Sequence, residues 1–210
     1  MLCYGDSNTW GCIPFTAPGP PRRFPPDERW PGVLRQELGP DFWVVEEGLN
    51  GRTTVWDDGL EPYRNGRTLL PPILLSHQPV DAVVLMLGTN DLKRRFALSA
   101  REVAEGAAQL VHLVHSHSGC GPADDAPAAL LVCPPPLGRL QQFAEEFEGG
   151  QEKSRALAGC FQAVAAARRW PLLDAGAHVS SSNADGIHLD REAHRVLGGV
   201  VAAALRPMLL

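Results

Sequence analysis

The sequence has no apolar run of the about 18 or more residues needed to cross a bilayer, which excludes a membrane span. It also has no excess of positive charge. Lys+Arg number 19 and Asp+Glu 24, a formal net charge of −5. A general nucleic-acid binder needs a basic face, so no nucleic-acid partner is expected. The five cysteines, Cys3, Cys12, Cys120, Cys133 and Cys160, are odd in number and never spaced as CxxC. That argues against a disulfide framework or a zinc knuckle. Cys3 and Cys133 sit inside apolar runs and read as small core residues. The opening residues MLCYGDSNTWG contain no basic stretch followed by a long apolar one, so no secretory signal is expected. A reducing, cytoplasmic location follows as the expectation.

What is present is enough for one folded unit. The chain has 210 residues, 44% of them hydrophobic. A core of that size needs neither disulfide nor metal, and residues 1–210 are expected to form a single domain. Short apolar runs at Met1–Tyr4, Phe42–Glu46, Ala82–Leu87, Ala128–Cys133 and Pro171–Asp174 are predicted strands. Most are continuous rather than alternating, as in parallel strands buried on both faces. Between them lie helical patterns at Glu28–Leu38 (Asp27 as N-cap), Gly66–His77, Arg101–His117, Gln151–Arg169 and Arg191–Leu205. Pro71-Pro72 is expected to interrupt the second of these. The alternation predicts a three-layer α/β fold around a parallel sheet. Three stretches are irregular: Pro14–Pro26, with six of the 19 prolines, Asp57–Asn65 and Pro134–Gly150. Stiff loops on a rigid scaffold are where binding surfaces lie.

Four short blocks follow strand candidates. Gly5-Asp6-Ser7 follows the first, where a small residue before the serine allows a sharp turn. Gly48-Leu49-Asn50-Gly51-Arg52 follows the second, and Gly51 there can offer a backbone N–H at close range. Leu87-Gly88-Thr89-Asn90-Asp91 ends the third, with an Asn side chain able to bond a developing oxyanion. Asp185-Gly186-Ile187-His188 lies between the fifth strand and the last helix. In a tight turn Asp185 can hold the Nδ1 proton of His188 and leave Nε2 for Ser7, the base-and-orienter geometry of a serine triad. On spacing alone Asp185 is equally a helix cap. Carboxyl ends of an open α/β sheet form one rim, so the four blocks can converge. Among the other histidines, His112, His115 and His117 share one helix pattern without a carboxylate or cysteine to complete a metal set, and His77, His178 and His194 lack a matched partner.

Together these blocks resemble the SGNH (GDSL-type) hydrolase superfamily. More narrowly, Glu46-Glu47-Gly48-Leu49, Met86–Asp91, Pro134-Pro135-Pro136-Leu137 and Phe147-Glu148-Gly149-Gly150 resemble, in order and spacing, the bacterial arylesterase/acyltransferase branch that includes the mycobacterial perhydrolase/acyltransferase. The resemblance implies a flavodoxin-like sheet of five parallel strands. It implies Ser7 as nucleophile, His188 as general base and acid, and Asp185 as orienter. The implied oxyanion hole is the Ser7 and Gly51 N–H groups with the Asn90 side chain, and no metal or organic cofactor is implied. The expected activity is a serine esterase acting on small acetyl or aryl esters through an acyl-enzyme released to water, an alcohol or peroxide. Homo-oligomers are expected by analogy, with Phe15, Phe24, Phe143 and Phe147 as candidates for burial at subunit contacts, the alternative being that they pack back on their own domain. Trp10, Phe15 and Trp30 are candidates for an apolar site, or for the core. The chain departs from the branch at Asn8, in place of a leucine, at Cys12, at Asn50-Gly51, and in the polar residues Arg139, Gln141 and Gln142. Three rivals accompany this reading: a carbohydrate O-deacetylase of the same fold, a non-catalytic α/β binding domain, and a metal phosphoesterase using Asp6, Asn90, Asp91 and His188.

Overall fold

The computed structural model describes residues 1–17 and 19–209. Five strands, β1 (Leu2–Gly5), β2 (Val45–Gly48), β3 (Ala82–Met86), β4 (Ala128–Cys133) and β5 (Leu172–Asp174), form one sheet in the order β2-β1-β3-β4-β5. All neighbours pair in parallel, with Leu2 opposite Val45 on one side and Val83 on the other. This is the five-stranded parallel α/β sheet expected. Successive side chains on a strand point to opposite faces. Leu2, Tyr4, Val83, Leu85, Ala129 and Leu131 therefore enter one core, while Cys3, Ala82, Val84, Met86, Leu130 and Val132 enter the other.

Helices α2 (Trp30–Leu38) and α6 (Arg191–Leu205) pack together and cover the second core, joined there by Leu34, Leu197, Val201 and Leu205. Helices α3 (Gly66–His77), α4 (Ala100–Ser116) and α5 (Gly150–Arg168) cover the first. The capping signals are local. Ser99 and Glu102 form a capping box at α4, and Asp190 accepts from the Ala193 N–H at the start of α6. No helix among the described residues is long and apolar enough to cross a membrane.

Several expected boundaries move. β2 begins at Val45 rather than Phe42, because the chain before it leaves the sheet edge and Trp43 is 78% exposed. α2 starts at Trp30, not Glu28, with Arg29 rather than Asp27 at the cap, and Pro31 occupies the first turn, where its missing N–H costs nothing. α3 runs unbroken through Pro71 and Pro72, and the burial of Leu70 and Leu74 on either side holds it to the core. All five cysteines are free thiols.

The chain leaves β1 toward β2 on one edge and returns past β1 to β3 on the other. The carboxyl ends of β1 and β3 thus flank the point where the strand order reverses, where open α/β sheets leave a crevice.

Candidate active site

The turn after β1 is built by Gly5 and Asp6. A side chain on Gly5 would meet the Thr9 hydroxyl and the Met86 carbonyl within 2.8 Å, so only glycine lets the chain fold back over the strand end. Asp6 then caps the short helix α1 (Ser7–Trp10), its Oδ1 accepting from the Asn8 N–H at 2.9 Å. Burial pushes the Asp6 carboxyl up to about 6. Ser7 is the first residue of that helix and faces the rim.

His188 comes to it from the other end of the chain. Its Nε2 lies 3.1 Å from Ser7 Oγ, and its Nδ1 lies 2.7 Å from Asp185 Oδ2. Asp185 does not cap a helix. Its Oδ1 accepts from the Ile187 and His188 N–H groups at 3.0 and 2.9 Å, which closes the turn expected from the i, i+3 spacing. Oδ2 also accepts from the Phe15 N–H at 3.1 Å. Asp185 is fully buried, and Ser7 and His188 are nearly so. Burial alone would raise the Asp185 pKa, but the His188 ring and the two turn N–H groups hold it below the ordinary carboxylate range. For His188, burial opposes the charged form; the Asp185 carboxylate, with a contribution from Cys12, outweighs it and pushes the pKa up to about 9.

Two further donors stand beside Ser7. Gly51 adopts φ +77, and its N–H has no partner among the described residues. A Cβ at Gly51 would also meet Glu61 Oε2 at 2.7 Å. Asn90 donates one amide hydrogen to the Arg52 carbonyl at 3.1 Å, which leaves the other free. Arg52 in turn donates to the carbonyls of Gly5, at 2.9 Å, and Glu47, and its guanidinium lies 4.0 Å from the Tyr4 ring centroid. One buried arginine therefore ties the ends of β1 and β2 to the Asn90 loop.

Ser7, Gly51, Asn90 and His188 line a common cavity of about 230 Å³. One of its sides is aromatic. Phe15 stacks on the His188 ring at 5.7 Å, Phe143 meets Phe15 edge-on at 5.5 Å, and Phe147 lies behind. Gln142 Nε2 donates to the Phe15 carbonyl at 2.6 Å, so one of the unexpected polar residues holds this side in place. Another side is ionic. Lys93 bridges Glu61 and Glu146 at 2.8 and 3.1 Å, and Arg95 joins Asp58, Glu61 and Glu146. All three irregular stretches thus supply cavity residues: Phe15 and Pro21, then Glu61, then Phe143, Glu146 and Phe147. Pro18 of the first lies outside the described residues.

The chain matches the GDSL-like Lipase/Acylhydrolase family over residues 3–196. It belongs to that family. The native aryl esterase of M. smegmatis is 43% identical, with 99% of this chain and 98% of that chain covered and a TM-score of 0.95. Est24, a carbohydrate acetylesterase from Sinorhizobium meliloti, is 40% identical over 99% and 98% of the two chains, again with a TM-score of 0.95. The comparison with curated proteins gives no match.

Around this GDSL-family site the structure decides between alternatives that the sequence left open. Trp30, the first residue of α2, is fully buried in the second core, and Trp10 lies outside the cavity, under the Arg23 guanidinium. Phe24 and Phe147 pack back onto their own chain rather than awaiting a partner. Phe24 lies edge-on to His194, and Phe147 enters the main core. Three of the four residues suggested for a metal site are spoken for otherwise, and the fourth, Asn90, donates to the Arg52 carbonyl. Asp91 accepts from the Thr54 N–H at 3.0 Å and from its hydroxyl, Asp6 caps α1, and both ring nitrogens of His188 face Asp185 and Ser7. His112 and His115 lie on an exposed helix face, while His194 is buried with Nδ1 accepting from the Trp30 N–H. The sequence reading missed Arg52, Glu61, Lys93 and Glu146. The one available signal was Lys93 itself, one of only 2 lysines and two residues beyond the Asn90-Asp91 block.

Proposed function

We propose that the chain is a carboxylic ester hydrolase in which Ser7 is the nucleophile, His188 the general base and acid, and Asp185 the orienter. The observation that carries this reading is the continuous relay Asp185–His188–Ser7, opening on a cavity that also holds the Gly51 N–H and the Asn90 amide. Neutral His188 accepts the Ser7 proton at Nε2 as Oγ attacks the ester carbonyl. The Ser7 and Gly51 N–H groups and Asn90 Nδ2 hold the oxyanion. Imidazolium His188, stabilised by Asp185, then gives its proton to the departing alcohol. Water enters by the reverse path and frees the acyl group as acid. No step calls for a metal or organic cofactor.

The leaving oxygen must lie near His188 Nε2 to take that proton. The groups flanking His188, Phe15 and Phe143, therefore meet the alcohol part of the ester, which favours an aryl or other apolar leaving group. The same surface would hold an alcohol acceptor, so acyl transfer competes with hydrolysis when such an acceptor is present. A sugar O-acetyl ester is the second reading, motivated by the Glu61–Lys93–Glu146 side of the cavity and by the 40% identical carbohydrate acetylesterase. Turnover of p-nitrophenyl acetate against a panel of acetylated sugars separates the two, with Ser7→Ala as control. Preference for aryl acetates supports the aromatic assignment. If only the sugars turn over, the second reading replaces it. If neither turns over, the protein is a binding domain that kept the blocks. Residues 1–210 work as one unit in this reading, in the cytoplasm and as a homo-oligomer. A monomer mass in sedimentation with full activity removes the assembly from it.

A further inference from the structure

Asn8 sits beside the proposed nucleophile, is almost fully buried, and has no place in the steps above. Its side chain reaches the segment that carries His188, 181 residues away in sequence. Oδ1 accepts from the Leu189 N–H at 2.9 Å, and Nδ2 donates to the Ile187 carbonyl at 3.2 Å. These are the backbone groups on the two sides of His188. One carboxamide thus pairs with that segment as a neighbouring strand would, one donor and one acceptor at a time. Its own N–H is held by Asp6 Oδ1 at 2.9 Å, so the carboxamide is fixed at both its root and its tip.

The other bonds around His188 do a different job. The three that Asp185 makes to Ile187 N, His188 N and His188 Nδ1 lie within one turn, and they fix the ring against Asp185. The Ser182 N–H to His188 carbonyl bond and the Gly138 N–H to Gly186 carbonyl bond tie that turn to the loops around it. The Phe15 N–H to Asp185 Oδ2 bond at 3.1 Å comes from the loop five residues beyond the helix that carries Ser7, and none of these bonds reaches that helix itself. The two Asn8 bonds do, and they bracket the 3.1 Å contact between Nε2 and Oγ.

We propose that Asn8 is a positioning residue that sets the distance and angle between Ser7 and His188. A leucine at this position matches the size but offers neither bond, so the His188 segment would be free to shift relative to α1 while the His188–Asp185 pair stays intact. The proposal rests on the roles given above to Ser7 and His188.

The test is a set of three variants, Asn8→Leu, Asn8→Ser and Ser99→Ala, assayed on p-nitrophenyl acetate well below their melting temperatures. Asn8→Leu is expected to lower kcat by roughly 10–100-fold, the size of effect that a displacement of about 1 Å produces, with KM nearly unchanged. The His188 ring, followed by NMR titration, should keep the midpoint of the parent protein, because its partner Asp185 has not moved. Ser99→Ala removes the α4 cap and loses stability far from the site, so its kcat should stay that of the parent. Asn8→Ser, which is too short to reach both groups, should fall between the two, and it carries the test if Asn8→Leu does not fold. A kcat for folded Asn8→Leu or Asn8→Ser equal to the parent's overturns the proposal. So does a loss matched by Ser99→Ala at equal loss of stability. If Ser7→Ala retains activity, the reading of the site itself has failed, a result distinct from either.

Discussion

The rim that carries Ser7, Asn90 and His188 and the ionic side formed by Glu61, Lys93 and Glu146 face one cavity but are held by different forces. The rim is made of strand-end turns closed by local bonds, Asp6 to Asn8 and Asp185 to Ile187 and His188, and joined across the fold by His188 to Ser7 and Asn8 to Leu189. It is almost wholly buried, and its triad side chains have partners of fixed geometry, while the Gly51 N–H and one Asn90 amide hydrogen stay free for a ligand. The ionic side is made of pairs 32 to 53 residues apart, and its glutamates are about one-third exposed. Lys93 is itself buried, but its glutamates keep part of their surface in water, where ion pairs contribute less and are screened by salt; on the rim both partners are buried, and neither can be removed without leaving the other unpaired. In the proposed function the chemistry therefore belongs to the rim and substrate approach to the ionic side.

The largest effects should come from breaking the rim. Ser7→Ala and His188→Ala should each lower kcat by roughly 10⁶, and the double variant should be little worse, because triad members act as a unit. Steady-state rates that instead multiply would show two independent contributions. Asn90→Ala should cost roughly 10²–10³ in kcat, about 2.7–4 kcal/mol, with a much smaller change in KM. A raised KM at constant kcat would make Asn90 a ground-state binding group.

Acid titrates the rim more gently. His188 works as a base only when neutral, and Asp185 favours its charged form, so kcat/KM should climb with pH above the unperturbed histidine value of about 6.5 and level off near 9. Below that point the loss should be about tenfold per pH unit. A flat profile from pH 5 to 9 counts against a histidine base.

The smallest effect should come from the ionic side. Lys93→Met leaves Glu61 and Glu146 bridged by Arg95 alone, in a partly solvated setting. It should lower stability by about 1 kcal/mol, or about 2–4 °C in Tm, with an effect that shrinks in high salt. Its kcat on a small neutral acetate should change little. A thousandfold loss there would move Lys93 from the side of the cavity into the chemistry.

The same contrast explains what could be read from the chain alone. Strand runs such as Ala82–Leu87 and Ala128–Cys133 are legible because continuous apolar residues are required where both faces are covered. That Ser7, Gly51, Asn90 and His188 line one cavity was legible because Ser7 and Asn90 follow continuous apolar strands, Gly51 belongs to an Asn-Gly turn, and the i, i+3 spacing closes the turn at Asp185 and His188. β2 was displaced because Phe42 and Trp43 are apolar yet lie off the sheet edge, and no short-range signal distinguishes an exposed tryptophan from a buried one. α3 was expected to break at Pro71-Pro72, and tertiary packing of Leu70 and Leu74 overrides that local rule. The Lys93 pairs and the reach of Asn8 to Leu189 depend on contacts across the fold, which spacing in sequence does not encode.

The central claim is that Ser7 forms a covalent intermediate while His188 takes its proton. A fluorophosphonate probe tests it most directly: incubate the protein with the probe, digest it, and locate the adduct by mass spectrometry. The account predicts one phosphonyl group per chain, on the peptide carrying Ser7, with labelling that fades in acid as His188 becomes charged and is absent in Ser7→Ala. No adduct in a properly folded protein, or an adduct that persists in Ser7→Ala, would contradict it.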